Sequence, residues 1–320
     1  MNPVKSIVNG VLDASVFFSF DASGYRRHSQ QFETSDLDVD LSGRVVAVTG
    51  ANGGLGLAAS RAFAARSAAT WLIVRNRERG EAAASSLRRE FPDAEIQVGV
   101  ADMSDLESVK HFTDNFEPPR VDALIHNAGA LVNARTTTAD GLELTCATHL
   151  AGPYLLTRLL EAKLEAAQQG RIIWVSSGGM YTQKLDVGKL FDPPERFNGT
   201  TAYAQAKRAQ VVVSESLADE YSYSSGKITS NAMHPGWAKT PGVSEALPQF
   251  NQMMSSRLRS PEQGADTIVW LAAAPRIAET TGQFFLDRQA RKTHYIPTTR
   301  ESDSERTRLI RELDLAVRQR

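Results

Sequence analysis

The sequence predicts an α/β fold: a doubly wound, parallel sheet of about seven strands between two helical layers, three layers in the Rossmann manner. Three observations lead there. Nearly continuous apolar runs recur along the chain, and such runs belong to parallel strands covered on both faces. Longer segments with helical periodicity fill the intervals, and strand alternating with helix implies right-handed βαβ units. The turn T-G-A-N-G-G-L-G at Thr49 to Gly56 follows the first apolar run and opens a long helical segment. In that context a glycine cluster reads as a dinucleotide-binding turn rather than an ordinary loop.

The strands are expected at V-V-A-V just before the glycines, Trp71 to Val74, Ile96 to Val100, Ala123 to Ile125, Ile172 to Val175, Ile228 to Met233 and Gln283 to Leu286. Helices are expected in the Ala-rich stretch from Leu55 to Ala69 and from Ala202 to Tyr221. Periodic residues after Ser304, including Arg308, Leu309, Leu313 and Leu315, predict a final helix. The chain thus divides into an N-terminal extension, residues 1–40, a Rossmann-type domain, residues 41–290, and a C-terminal tail with a helix, residues 291–320. In the extension, Val4, Ile7, Val8, Val11 and Leu12 recur at helical spacing, followed by Val16, Phe17, Phe18 and Phe20. Interrupted by Asn9, Asp13 and Ser15, this stretch falls short of the about 20 apolar residues that span a bilayer. Only Lys5 is basic and no small-residue cleavage pattern follows, which argues against a secretory signal. Two readings stay open: an amphipathic helix packed on the body, which is favoured, or residues 1–20 lying on a membrane surface.

Composition narrows the function classes. The 320 residues are 42% hydrophobic and 23% charged, enough for one large core with extensions, although about 150 residues per domain would allow two. A formal net charge of −1 leaves no basic footprint for nucleic acid. The single cysteine, Cys146, forms no intramolecular disulfide, and no Cys/His spacing suggests zinc, so a reducing, cytoplasmic setting without a metal is expected.

The chemistry is read at Tyr203, followed four positions later by Lys207 in Y-A-Q-A-K. Residues at i and i+4 share a helix face, and a cation beside a phenol lowers a pKa whose reference is about 10. A proton donor together with a dinucleotide pocket points to hydride transfer at a carbonyl or an alcohol. In the pocket, Gly50 permits the tight turn, Gly54 the close approach of a pyrophosphate, and Gly56 the packing of the next helix, whose N-terminus faces the phosphate. At the end of the second strand the chain reads I-V-R-N-R, with Val74 where an acid would bind a ribose 2′-hydroxyl and Arg75 next. This favours NADP(H) over NAD(H); the bland alternative is that Arg75 and Arg77 are solvated loop charges. Trp237, Leu247, Phe250, Met253 and Met254, with Met180 and Tyr181, suggest a bulky apolar carbonyl or alcohol, and ordinary lid packing explains them equally well.

As an ordered set, T-G-x-x-x-G-x-G at Thr49 to Gly56, N-A-G at Asn127 to Gly129, V-S-S at Val175 to Ser177, Y-x-x-x-K at Tyr203 to Lys207 and H-P-G-W at His234 to Trp237 resemble the short-chain dehydrogenases/reductases over about residues 41 to 290. Further matches, S-S-G-G-M at Ser176 to Met180, M-H-P-G-W-A-x-T-P-G-V from Met233 and S-G-Y at Ser23 to Tyr25, resemble one member, extension included. The resemblance implies that Tyr203 is general acid for carbonyl reduction or base for alcohol oxidation. It implies too that Lys207 lowers the Tyr203 pKa and holds the cofactor ribose, and that Ser177, rather than Ser176, holds the substrate oxygen. It assigns Thr49, Gly50, Asn52, Gly54, Leu55 and Gly56 to the phosphate turn, Asp102 to the adenine amino group, Asn127, Ala128 and Gly129 to the cleft, and Pro235, Gly236 and Thr240 to the nicotinamide side. The family usually carries an asparagine where this chain reads A-T-H-L-A-G and places His149. In relatives that residue's main-chain carbonyl holds a water in a proton relay to the lysine. Pro153, four positions on, has no N–H, so the carbonyl is expected to stay free for the water, with His149 titrating near its reference pKa of about 6.5. Otherwise His149 impairs turnover, leaving a dinucleotide-binding sensor or interaction protein. The family often pairs through its long central helices, so a homodimer is an expectation, unless the N-terminal extension covers that surface.

Overall fold

The computed structural model describes residues 19–239, 252 and 254–318. The seven anticipated strands are present: β1 Val45–Thr49, β2 Ala69–Val74, β3 Ile96–Val100, β4 Ala123–His126, β5 Gly170–Val175, β6 Ile228–Met233 and β7 Phe284–Leu286. They pair in parallel in the order β3-β2-β1-β4-β5-β6-β7. Every residue of β4, β5 and β6 is buried, as their apolar runs require of strands covered on both faces. An eighth strand, β8 Gln289–Ala290, adds antiparallel to β7 and was not anticipated. Its two residues carry no periodicity, and the turn between them, Asp287 and Arg288 at φ 51° and 57°, is left-handed at both positions without the usual glycine or asparagine.

Among the described residues the helices are α1 Ala22–His28, α2 Gly54–Ala64, α3 Arg77–Glu90, α4 Leu106–Asp114, α5 Leu144–Cys146, α6 Gly152–Leu159, α7 Glu161–Glu165, α8 Val187–Phe191, α9 Gly199–Ser224, α10 Pro261–Ala273 and α11 Asp303–Arg318, with a π-helical turn, Ala147–Ala151, joining α5 to α6. Their starts follow local chemistry. Asn76, Asp105 and Asn198 accept N–H bonds from the first turns of α3, α4 and α9, and Ser260 with Gln263 forms a capping box on α10. The first long helix ends at Ala64, not at Ala69 as its composition suggested, because Ala69 already pairs with Val45 as the first residue of β2.

One face of the sheet is covered by α2, α3 and α10 through Leu55, Phe63, Leu87, Ile268 and Trp270. The other is covered by α4, α6, α9 and α11 through Phe112, Leu156, Val212 and Leu313. The strand order reverses between β1 and β4, which opens a crevice beyond their C-terminal ends. The described residues of both terminal extensions close on this body. Residues from Ser19 reach the sheet's C-terminal end, where the Ala22 N–H donates to the Arg257 carbonyl, and Asp36 accepts a 2.7 Å bond from Trp270 Nε1. The apolar residues at positions 4 to 18 lie outside the described residues. No helix among those described is long and apolar enough to cross a membrane. At the other end, α11 buries Leu309 and Leu313 and is tied to α6 by Tyr154 Oη donating to Asp314 at 2.8 Å.

Candidate active site

The crevice between β1 and β4 is built by two motifs latched together. Thr49 Oγ1 accepts from the main-chain N–H groups of Asn127 and Ala128, each at 3.0 Å, and donates to the Ile125 carbonyl at 3.2 Å. The Asn127 amide donates to the carbonyls of Thr49 at 2.8 Å and Gly50 at 3.3 Å, so its side-chain donors are spent on holding the turn. Gly50 has φ 67°, and a Cβ there would lie 2.9 Å from the Ala128 Cα. A Cβ at Gly56 would lie 2.5 Å from the Gly50 carbonyl, so the turn closes only with hydrogen at these positions. Beyond it, α2 begins at Gly54 and no side chain caps its N-terminus. Uncapped N–H groups at a helix start fit a phosphate.

The other expected cofactor contacts are arranged around this cradle. Asn52 sits half-buried in the turn, and Leu55 turns its side chain toward Gly264 of α10, leaving its main chain to the cradle. Arg75, just past β2, is exposed with no hydrogen bond or ion pair among the described residues. One Asp102 carboxylate oxygen accepts from the N–H and hydroxyl of Ser104 at 2.9 and 2.7 Å, which fixes the carboxylate at the end of β3. Gly129 lies directly against the His149 ring. At the far side, Gly236 has φ 70°, and a Cβ there would run into the Arg259 guanidinium and the Phe20 carbonyl. Pro235 offers its carbonyl to Arg259 at 3.3 Å. Thr240, Leu247, Phe250 and Met253 lie outside the described residues.

The catalytic candidates meet at the end of β5. Ser177 caps the short helical turn Gly178–Thr182, accepting from the Gly179 N–H at 3.2 Å, and its hydroxyl lies near enough to the Tyr203 phenol on α9 to draw that group's pKa down. Ser176 is committed elsewhere, its hydroxyl donating to the Lys207 carbonyl at 2.8 Å. Lys207 Nζ stands 5.5 Å from the centre of the Tyr203 ring and donates to the Val175 carbonyl at 2.7 Å and to Gln210 Oε1 at 3.0 Å. Burial pushes the Tyr203 phenol up and outweighs the opposing pull of the Ser177 hydrogen bond. This corrects the expectation that the neighbouring ammonium holds the phenol low. Lys207 is itself brought down to about 7 by burial, so near neutrality it carries only part of a charge, which it directs at a carbonyl and an amide.

His149 also departs from expectation. Its ring is fully buried in the π-helical turn, lies edge-on to Tyr203 with centroids 5.3 Å apart, and places Nε2 2.7 Å from the Ala130 carbonyl. Burial first, and the Lys207 charge second, lower its pKa to about 3; it is a neutral ring whose Nε2 meets both the Ala130 carbonyl and, at 3.2 Å, the Ala130 N–H, and not a titrating member near pH 6.5. Its carbonyl accepts from Gln210 Nε2 at 2.9 Å, which leaves its second lone pair for the expected water. Pro153 withholds an N–H from that carbonyl, as expected, and a side-chain amide takes the place.

Three further residues shape the site and were not singled out for it. Gln210 lies seven positions after Tyr203, two turns along the same face, so a polar amide on that face was a readable signal. Arg259 is 1% exposed and gathers the carbonyls of Ser19, Asp21 and Pro235 and both oxygens of Asp287. Phe20 packs edge-on to His234 at 4.2 Å and its carbonyl receives the Trp237 N–H at 2.7 Å. The Arg259 contacts with Ser19 and Asp21 and those of Phe20 join segments more than 200 residues apart, and no local pattern announces them.

These arrangements agree with comparison to known proteins. A family model for short chain dehydrogenase matches residues 44–250. The chain belongs to the short-chain dehydrogenase/reductase family. It is 41% identical over 303 residues to dehydrogenase/reductase SDR family member 12 of Bos taurus, covering 93% of this chain and 94% of that protein. It is 30% identical over 269 residues to retinol dehydrogenase 12 of Homo sapiens, covering 83% and 84%. A crystal structure of a short chain dehydrogenase from Escherichia coli complexed with NADPH shares the fold, with a TM-score of 0.63 and 24% identity, covering 80% of this chain and 100% of that one. The protein is therefore an oxidoreductase by family, one whose members are NAD(P)-dependent and act on CH–OH groups.

Proposed function

We propose that this short-chain dehydrogenase/reductase is an NADP(H)-dependent enzyme that interconverts a carbonyl and an alcohol on an apolar small molecule, with Tyr203 as the acid or base. The observation that carries the reading is the buried Lys207 Nζ 5.5 Å from the centre of the Tyr203 ring, with Ser177 near enough to act on the phenol. The chain's residues fit the cofactor: an uncapped α2 N-terminus and the Gly50–Gly56 turn receive a pyrophosphate, Asp102 the adenine edge, and unpartnered Arg75 a 2′-phosphate. NADPH in the Escherichia coli relative supports the same preference over NAD(H). When bound, the cofactor supplies a hydride to the carbonyl carbon. Ser177 holds the substrate oxygen by its hydroxyl, and Tyr203 donates its phenolic proton to that oxygen as negative charge develops.

The phenol's environment supports the reductive direction. A buried Tyr203 whose pKa lies above its ordinary value stays protonated through the neutral range, which suits the acid in carbonyl reduction better than the base in alcohol oxidation. An apolar substrate is supported by the retinol dehydrogenase relative and by Tyr181 and Trp237 around the Ser177 loop, where both rings flank Phe20. Following NADPH absorbance against a panel of apolar aldehydes and ketones tests the proposal, and NADPH-dependent consumption is expected. Saturable NADPH binding without turnover across the panel would instead favour the sensor reading, in which His149 has removed catalysis.

A further inference from the structure

Resting on the reading of Tyr203 as proton donor, we propose that Gln210 is a positioning residue whose carboxamide fixes the Lys207 side chain and links it directly to the main chain at His149. Gln210 is fully buried. Its Oε1 accepts from Lys207 Nζ at 3.0 Å and its Nε2 donates to the His149 carbonyl at 2.9 Å. The opposite amide orientation would set NH2 against an amine or ammonium and oxygen against a carbonyl, so the network fixes the orientation shown. The His149 carbonyl can take this bond because Pro153 offers it no N–H.

The arrangement decides how Lys207 spends its donors. An ammonium has three; one goes to the Val175 carbonyl and one to Gln210, leaving one for the crevice side, where Tyr203 stands. A carboxamide neither gains nor loses a proton near neutrality, so the link from Lys207 through Gln210 to His149 orients the side chain without conducting a proton inward. Protons that restore Tyr203 then enter from the crevice. The titratable groups facing Lys207 among the described residues are Tyr203 on its own helix and His149 from the π-helical turn, and no carboxylate contributes to its depressed pKa.

The test is the titration of Lys207 in the cofactor-free, full-length protein, followed by its 13Cε resonance and assigned by its loss in Lys207→Arg. A midpoint near 7 is expected for the unchanged chain. Gln210→Glu, nearly isosteric, is expected to raise it by about 1–3 units, since it puts an opposite charge in contact. Gln210→Leu, which removes the acceptor, is expected to lower it. An unchanged midpoint in both folded variants overturns the proposal; should Gln210→Leu fail to fold, the glutamate variant decides alone. The titration needs no substrate, so its failure is distinguishable from failure of the Tyr203 reading, which the NADPH assay addresses.

Discussion

His149 shows how one side chain is decided by its neighbours. Its ring fits because position 129 is glycine: a Cβ there would lie 2.6 Å from the His149 Cε1, closer than packed atoms tolerate. Gly129→Ala should therefore destabilise the protein by about 1–3 kcal/mol through overpacking. In a His149→Ala background the same change should cost markedly less, because the space is vacated. Thermal unfolding of the four proteins checks this, and additive losses would contradict it. Single residues are also where the sequence is most and least legible. The cradle of Thr49, Gly50, Gly56 and Asn127 was legible because its members lie in short motifs with fixed spacing. The direction of the Tyr203 pKa was not legible because i, i+4 spacing reveals a neighbouring lysine but not the burial that raises the phenol. The Gln210 bond to His149 was hidden because it joins residues 61 apart in sequence.

At the scale of elements, helical period located α11, and the structure decides which of its leucines matter. Leu309 and Leu313 are fully buried against the body, whereas Leu315 is 43% exposed. Leu313→Ala should cost about 2–5 kcal/mol, the range for emptying a buried leucine site, while Leu315→Ala should stay within about 0.5 kcal/mol. Urea unfolding would contradict the packing if the two losses were equal. The same contrast explains what period alone could reveal: it marked Leu309, Leu313 and Leu315 alike but not which of them face the body. Strand β8 was illegible because two residues cannot show alternation and its turn uses Asp287 and Arg288. Their side chains explain that choice: Asp287 receives Arg259 and His28, while Arg288 pairs with Asp266 at 2.7 Å.

Across the whole molecule, the doubly wound parallel sheet was legible because alternating apolar runs and right-handed crossovers admit few topologies. The attachment of both extensions was not, since it rests on long-range contacts such as Arg259 with Ser19 and Arg306 with Glu215 on α9 at 2.6 Å. That second contact sets α11 on the long helix through which pairing was expected, so the chain itself takes part of this surface. Three buried histidines make the body acid-sensitive. His126, His149 and His234 are each lowered to about 3 by burial, so the unfolded chain binds protons that the native state refuses. Their contribution is fully present above about pH 6.5 and is lost as pH falls toward 3, each histidine approaching about 1.4 kcal/mol per unit below its unfolded pKa. Urea unfolding between pH 7 and 5, above the carboxylate range, should show this decline, and a flat profile would contradict it. The central claim, that Tyr203 protonates the substrate oxygen in a nucleotide-binding crevice, is tested most directly by Tyr203→Phe in the NADPH assay. The account predicts retained NADPH binding with turnover reduced by about 10²-fold or more, and undiminished turnover without the phenolic hydroxyl would contradict it.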